Sequence, residues 1–136
     1  MTERIYEEPS PITEKEVFRA IEEDDIERLT TVCIDLGFNH ENWRFIQDIS
    51  VRLSDHSNAN VRGNAFFGLE YAARFRGKVE KNIVKPVLLR GLRDNDAEVV
   101  RKAQNAIDNI NHLMGWSIGG AKRQKEIEQR FSKKRQ

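Results

Sequence analysis

The side chains of this sequence that could carry chemistry are few, and their spacing suits little of it. The three histidines, His40, His56 and His112, are far apart, and none has a second histidine four residues on with which to share a metal. Asp94-Asn95-Asp96 begins like a calcium loop. That loop needs Gly at its sixth position and Glu at its twelfth, where Val99 and Asn105 stand. Gly119-Gly120-Ala121-Lys122 lacks the spacing of a phosphate-binding loop and reads as a hinge. The single cysteine, Cys33, lies between Val32 and Ile34 and reads as a small buried hydrophobe rather than a nucleophile. One cysteine also excludes an intrachain disulfide framework. The expectation is a chain that is not an enzyme and has no catalytic set, metal site or cofactor.

Two groups of residues suit binding instead. The first is the acidic set Glu22, Glu23, Asp24, Asp25 and Glu27. Asp24 and Glu27 read as a capping box that opens a helix, where negative charge is favourable. Glu22 and Glu23 fall at the end of the preceding helix, where it is not, so the set is either a solvated turn or a surface for a partner. The second is the aromatic run Phe66, Phe67, Tyr71 and Phe75. At 100° per residue Phe66 and Phe67 both fall off the stripe of small residues on their helix. Either neighbouring helices bury them, or they form an exposed patch of the kind that anchors an interface. Phe66, Phe67, Tyr71 and Trp43 are the candidate anchors.

The elements that must position these residues are helices. The chain has 136 residues, 38% hydrophobic and 33% charged, enough for one core in one domain. No stretch alternates with period two for long enough to be a strand. Thr13 with Glu16 forms a capping box that opens a helix over 14–23. A second helix runs to Leu36 and is stopped by Gly37. Asn42 caps a third, which ends near Leu53. Asn58 precedes a fourth, which Gly77 ends. A fifth spans 79–93, bent or divided by Pro86, and a sixth spans 97–114, ended by Gly115. Residues 1–12 form an irregular arm, 13–116 the helical domain, and 117–136 a basic tail in which Ile127 and Phe131 could share a helix face.

The sequence repeats itself. Leu53, Asp55, Val61, Ala65 and Leu69 recur as Leu92, Asp94, Val99, Ala103 and Ile107, at intervals of 38–39 residues, with one extra residue in the first turn. Each copy is a helix, an Asp-containing turn and a second helix with small residues every three or four positions. These residues resemble the HEAT-repeat family, whose turn reads Leu-x-Asp-x-Asp-x-x-Val-Arg. Leu92, Asp94, Asp96 and Val99 match it, with Val100 in the Arg position; Val61-Arg62 match it in the first copy. The resemblance covers 42–116, and 13–38 would be a degenerate first repeat. It implies an all-α fold, a short right-handed α-α superhelix of about six helices, and a protein-binding role.

Charge narrows the partner. Residues 1–60 hold 6 Lys+Arg against 14 Asp+Glu, and 117–136 hold 7 against 2, so a net charge of +1 conceals an acidic head and a basic tail. Small, helical, acidic-headed repeat proteins are similar to bacterial immunity proteins that neutralise contact-dependent growth-inhibition toxins, many of them basic nucleases. That similarity implies a protein partner, a toxin domain. The other readings are a regulatory or scaffolding adaptor and a nucleic-acid-binding relative of the same family. Residues 1–116 sum to an acidic body, which disfavours nucleic acid. No apolar run approaches a membrane span, and the first residues lack the apolar stretch of a secretory signal, so a cytoplasmic location is expected.

Overall fold

The structure is a computed structural model that describes residues 11–119 and 129–130. The fold is all-α. Six helices pack against one another: α1 (Glu14–Glu23), α2 (Ile26–Asn39), α3 (Trp43–Leu53), α4 (Ala59–Tyr71), α5 (Lys81–Gly91) and α6 (Ala97–Met114). There is no strand among the described residues. No described helix is long and apolar enough to cross a membrane.

Of the four N-caps that the sequence names, three stand where expected. Thr13 and Glu16 close a reciprocal capping box on α1, Asn42 caps α3, and Asn58 caps α4. Asp96 caps α6, accepting from Glu98 N–H and Val99 N–H. The exception is α2, whose N-cap is Asp25, accepting from Arg28 N–H; Asp24 is instead the left-handed C-cap of α1, at φ 49°. The capping box assigned to Asp24 and Glu27 is therefore not formed: the cap stands one residue on, and its third helical residue is Arg28, which cannot complete a box.

The helices form two layers. α2, α4 and α6 lie side by side with α4 in the middle, and α1, α3 and α5 each pack on the inner helix that follows. The inner three are parallel. Asn64 Nδ2 of α4 donates to Thr30 O near the start of α2, and Lys102 Nζ of α6 donates to Asn64 Oδ1, while Asn109 Nδ2 donates to Glu70 Oε1 further along. Flanked on both sides, α4 is buried nearly all round. Past its first turn only Asn64, Phe67 and Tyr71 reach solvent.

The repeated residues occupy matched places. Leu53 and Leu92, Val61 and Val99, Ala65 and Ala103, and Leu69 and Ile107 are all buried. Arg62 joins the two copies through paired bonds to Asp94, Nε to Oδ2 at 2.9 Å and Nη2 to Oδ1 at 3.0 Å. The turns align differently from the sequence. Asp94 Oδ1 accepts the N–H of Asp96, two residues on; in the first copy that place belongs to His56, whose Nδ1 accepts from Asn58 N–H, while Asp55 is exposed.

Three further boundaries differ. α2 continues through Gly37 to Asn39, and Gly37 is buried inside it. α5 is continuous through Pro86, whose missing N–H falls on an exposed face. The folded body also passes residue 116. Ile118 is buried, and its backbone N–H and carbonyl pair with the side chain of Asn111 at 2.9 Å each. The arm over 1–10, and Ile127 and Phe131 of the tail, lie outside the described residues.

Candidate protein-binding surface

Because the inner helices are parallel, their starts share one edge of the molecule and their ends share the opposite edge. The outer helices run the other way, so each edge carries both helix starts and helix ends, and helix dipoles do not choose between the edges. The charges of the sequence nevertheless divide between them. On the first edge, turns 22–27, 53–60 and 91–98 hold five carboxylates, Asp55, and Asp94, Asp96 and Glu98 against Arg93, a formal charge of −8. On the opposite edge, segments 11–14, 38–44, 74–81 and 112–119 hold Glu14, Glu41 and Glu80 against Arg44, Arg74, Arg76, Lys78 and Lys81, a formal charge of +2.

All five members of the acidic set are exposed at one corner of the first edge. They are not equivalent. Asp25 is occupied as a helix cap, and Asp24 Oδ1 lies 2.6 Å from His56 Nε2. Glu22, Glu23 and Glu27 make no hydrogen bond or ion pair among the described residues. Glu27 lines an open depression with Asp25, Arg28 and Thr31, and Arg28 is turned to Glu16 at 3.2 Å.

The aromatic candidates separate. Phe66 is 2% exposed and belongs to the core. Its ring fills the space left by Gly91, where an added Cβ would lie 2.5 Å from Phe66 Cζ, so Phe66 cannot anchor a partner. Trp43 stands apart, with the Arg44 guanidinium 5.0 Å from its ring centre and no ring–ring contact among the described residues. Phe67 and Tyr71 do come together, 6.0 Å apart and stacked.

Two further rings complete the cluster. Phe38 lies 4.8 Å from Tyr71 and 5.4 Å from Phe75, and Tyr71 lies 5.5 Å from Phe75. Phe38 and Phe75 are 54% and 45% exposed, so the outer rings of the cluster face solvent. The candidate set of the sequence lacked Phe38. An aromatic residue off the apolar stripe of Leu29, Val32, Cys33 and Leu36 was the signal, hidden because the helix was ended at Gly37.

Two local features build the cluster. Gly37 lets the end of α2 lie against Tyr71, since any side chain there would occupy the same space. A π-helical turn over Ala72–Arg76 follows α4. Four residues of α-helix overshoot one full turn by about 40°. The wider π turn takes more residues per revolution and reverses that drift, returning Phe75 toward the line of Phe67 and Tyr71.

The cluster has a charged border. Lys102 Nζ lies 5.9 Å from the Phe67 ring centre, and Arg74 pairs with Glu70 at 3.2 Å. Arg76 bridges the two helix ends, its Nε donating to His40 O at 3.0 Å and its Nη1 to Phe75 O at 3.3 Å. Burial and the neighbouring Glu70 raise the Tyr71 phenol above its ordinary value, so it stays protonated. Elsewhere, burial pushes the Cys33 thiol up to about 12, which withdraws it from nucleophilic use. No group of three or more His, Cys, Asp or Glu side chains that could hold a metal occurs among the described residues.

Fold and surface together define an all-α protein with a solvent-facing aromatic cluster on one edge and an acidic corner on the other. Comparison with protein-family models, with curated proteins and with solved structures found no match.

Proposed function

We propose that this chain is a non-enzymatic protein-binding module, a short HEAT-like stack that acts as an immunity protein by covering a basic toxin domain. The observation that carries the binding role is the cluster of Phe38, Phe67, Tyr71 and Phe75, two of whose rings are about half exposed. An apolar group of this kind on a small soluble surface is stabilised by a partner that excludes water from it. The toxin assignment is supported by the acidic corner and by the resemblance of the repeat. A nuclease cleft must be positive to hold phosphates, and carboxylates can take their place.

Asp25 and Phe38 are separated along α2 by thirteen residues, roughly 20 Å at about 1.5 Å per residue. A partner of ordinary interface size reaches both ends. The acidic corner then accelerates encounter, and the rings prolong residence. Co-expression with the toxin encoded beside this protein tests the assignment: protected cells and a stable complex are expected. If no toxin gene is adjacent, or if cells expressing one die, the immunity reading fails and the binding-module reading stands alone.

A further inference from the structure

We propose that the aromatic edge, at the ends of α2 and α4, takes a partner segment in which a large apolar side chain is flanked by carboxylates. The proposal rests on the protein-binding reading and names the chemistry of one of its contacts.

Phe38, Tyr71 and Phe75 form a triangle with sides of 4.8, 5.4 and 5.5 Å, and Phe38 and Phe75 each keep about half of their surface in solvent. Their exposed faces are an apolar patch on which one large side chain can pack. Arg74, Arg76 and Lys78 lie within three residues of Phe75 in the chain, and Arg76 bonds the Phe75 carbonyl. Arg76 is fixed by two backbone carbonyls, yet its Nη2 makes no bond among the described residues. Lys78, two residues on, is exposed and makes no ion pair among them. Arg74 is 40% exposed and spends one nitrogen on Glu70. A guanidinium already held by its neighbours loses little freedom on binding, so a carboxylate gains from it without a large ordering cost.

Single-stranded nucleic acid also uses rings and cations, but it needs successive ring faces spaced to receive successive bases along a positive track. Here the rings pack on one another, and Glu14, Glu41 and Glu80 share the edge, leaving only the modest excess of +2. A carboxylate-bearing peptide fits this balance better than a phosphate chain.

Together with the acidic corner on the opposite edge, this contact fixes the orientation of the partner. Its basic surface lies toward the start of α2 and its acidic-apolar segment toward the end.

Fluorescence anisotropy with the intact protein tests the proposal without knowledge of the natural partner. The probes are a labelled peptide with one Leu-Trp pair between two Glu-Glu pairs, the same peptide with Lys for Glu, and a short oligouridylate. The Lys peptide is drawn to the acidic corner and serves as the control, and saturable binding of the acidic peptide at low salt is expected. Phe38→Ala with Phe75→Ala should weaken it by about tenfold or more, and Arg74→Ala with Lys78→Ala should weaken it several-fold and flatten its salt dependence. All four side chains are exposed, and helical circular dichroism checks that each variant keeps the fold before it is titrated. Acidic-peptide binding that both double variants retain in full, tighter binding of the oligouridylate, or no saturable binding of the acidic peptide overturns the proposal. Protection from a toxin that survives loss of these side chains would reject this contact and leave the binding role intact. Absence of any toxin would leave this contact standing.

Discussion

Tyr71 lies directly across Gly37: a Cβ added at residue 37 would stand 2.6 Å from Tyr71 Cβ and 2.7 Å from Tyr71 Cδ2. The obstructing atoms sit at the root of the tyrosine side chain, so a rotamer change cannot clear them and the helices themselves must separate. Gly37→Ala is therefore expected to destabilise the fold by about 1–3 kcal/mol, the usual cost of overpacking. Phe38→Ala removes two ring contacts from a half-exposed side chain and should cost about 0.5–1.5 kcal/mol without moving the helices. Urea unfolding followed by tryptophan fluorescence measures both. A neutral Gly37→Ala would show that α2 does not approach Tyr71 this closely.

His56 joins α1 to the start of α4. Its Nδ1 accepts from Asn58 N–H at 2.9 Å, which leaves the proton of the neutral ring on Nε2, 2.6 Å from Asp24 Oδ1. His40 does the same at the other end of α1, accepting from Asn42 N–H at 3.0 Å and reaching Glu14 Oε2 at 2.9 Å. Asp24 also carries the positive φ of the α1 C-cap, which Asp and Asn tolerate better than other side chains. Asp24→Asn keeps both the acceptor and the conformation and should cost under about 0.5 kcal/mol, whereas Asp24→Ala loses both and should cost about 1–2 kcal/mol. Equal melting temperatures for the two variants would mean that neither feature contributes.

Acid should weaken the junction between the two repeat copies. Burial acts to raise the Asp94 carboxyl, but the bonds from Arg62 and from Asp96 N–H outweigh it and hold Asp94 below the ordinary carboxylate range. A carboxylate with a depressed folded value contributes fully above its unfolded value, about 3.9, and loses that contribution as pH falls through the lower folded value. Asp94→Asn should therefore be less stable than the parent by a constant margin from pH 7 to about 5, and the margin should narrow below about pH 4. A margin that does not change with pH would show that the Arg62–Asp94 pair does not depend on the charge of Asp94.

Most of the fold was legible because its signals are local. Thr13, Asn42 and Asn58 cap the helices they open, Gly77 and Gly115 end theirs at positive φ, and the period of 38–39 marks the matched core positions. What could not be read depends on neighbours distant in sequence. Gly37 looks like a helix stop until Tyr71 is seen to need its place. Phe66 and Phe67 are adjacent and both fall off the small-residue stripe, but only Phe66 points at Gly91. Asp55 matches Asp94 in type, while His56 matches it in role, because hydrogen bonding to the residue two places on accepts either side chain. The π turn carries no pattern in the sequence, and without it Phe75 could not be placed beside Phe38. The acidic set was legible as a group. Its division into two structural and three unengaged carboxylates was not, because the histidine that occupies Asp24 lies 32 residues away.

That division decides how the acidic corner should be tested. Reversing Asp25 would remove the cap of α2, and reversing Asp24 would place a cation against His56, so loss of binding in either variant would be confounded by loss of structure. Glu22, Glu23 and Glu27 are exposed and unengaged, and replacing all three by Lys changes the local charge by six units without touching a described hydrogen bond. The variant should keep its helical circular dichroism and should melt within a few degrees of the parent. Against a basic partner domain its association rate should fall by about tenfold or more at low salt, and the remaining rate should lose most of its dependence on ionic strength. Dissociation should change little, because the rings that hold the complex lie at the far end of α2. Stopped-flow association at several salt concentrations separates these terms. An unchanged association rate would place the basic partner elsewhere, and a raised dissociation rate alone would make the three glutamates part of a desolvated contact rather than a steering field.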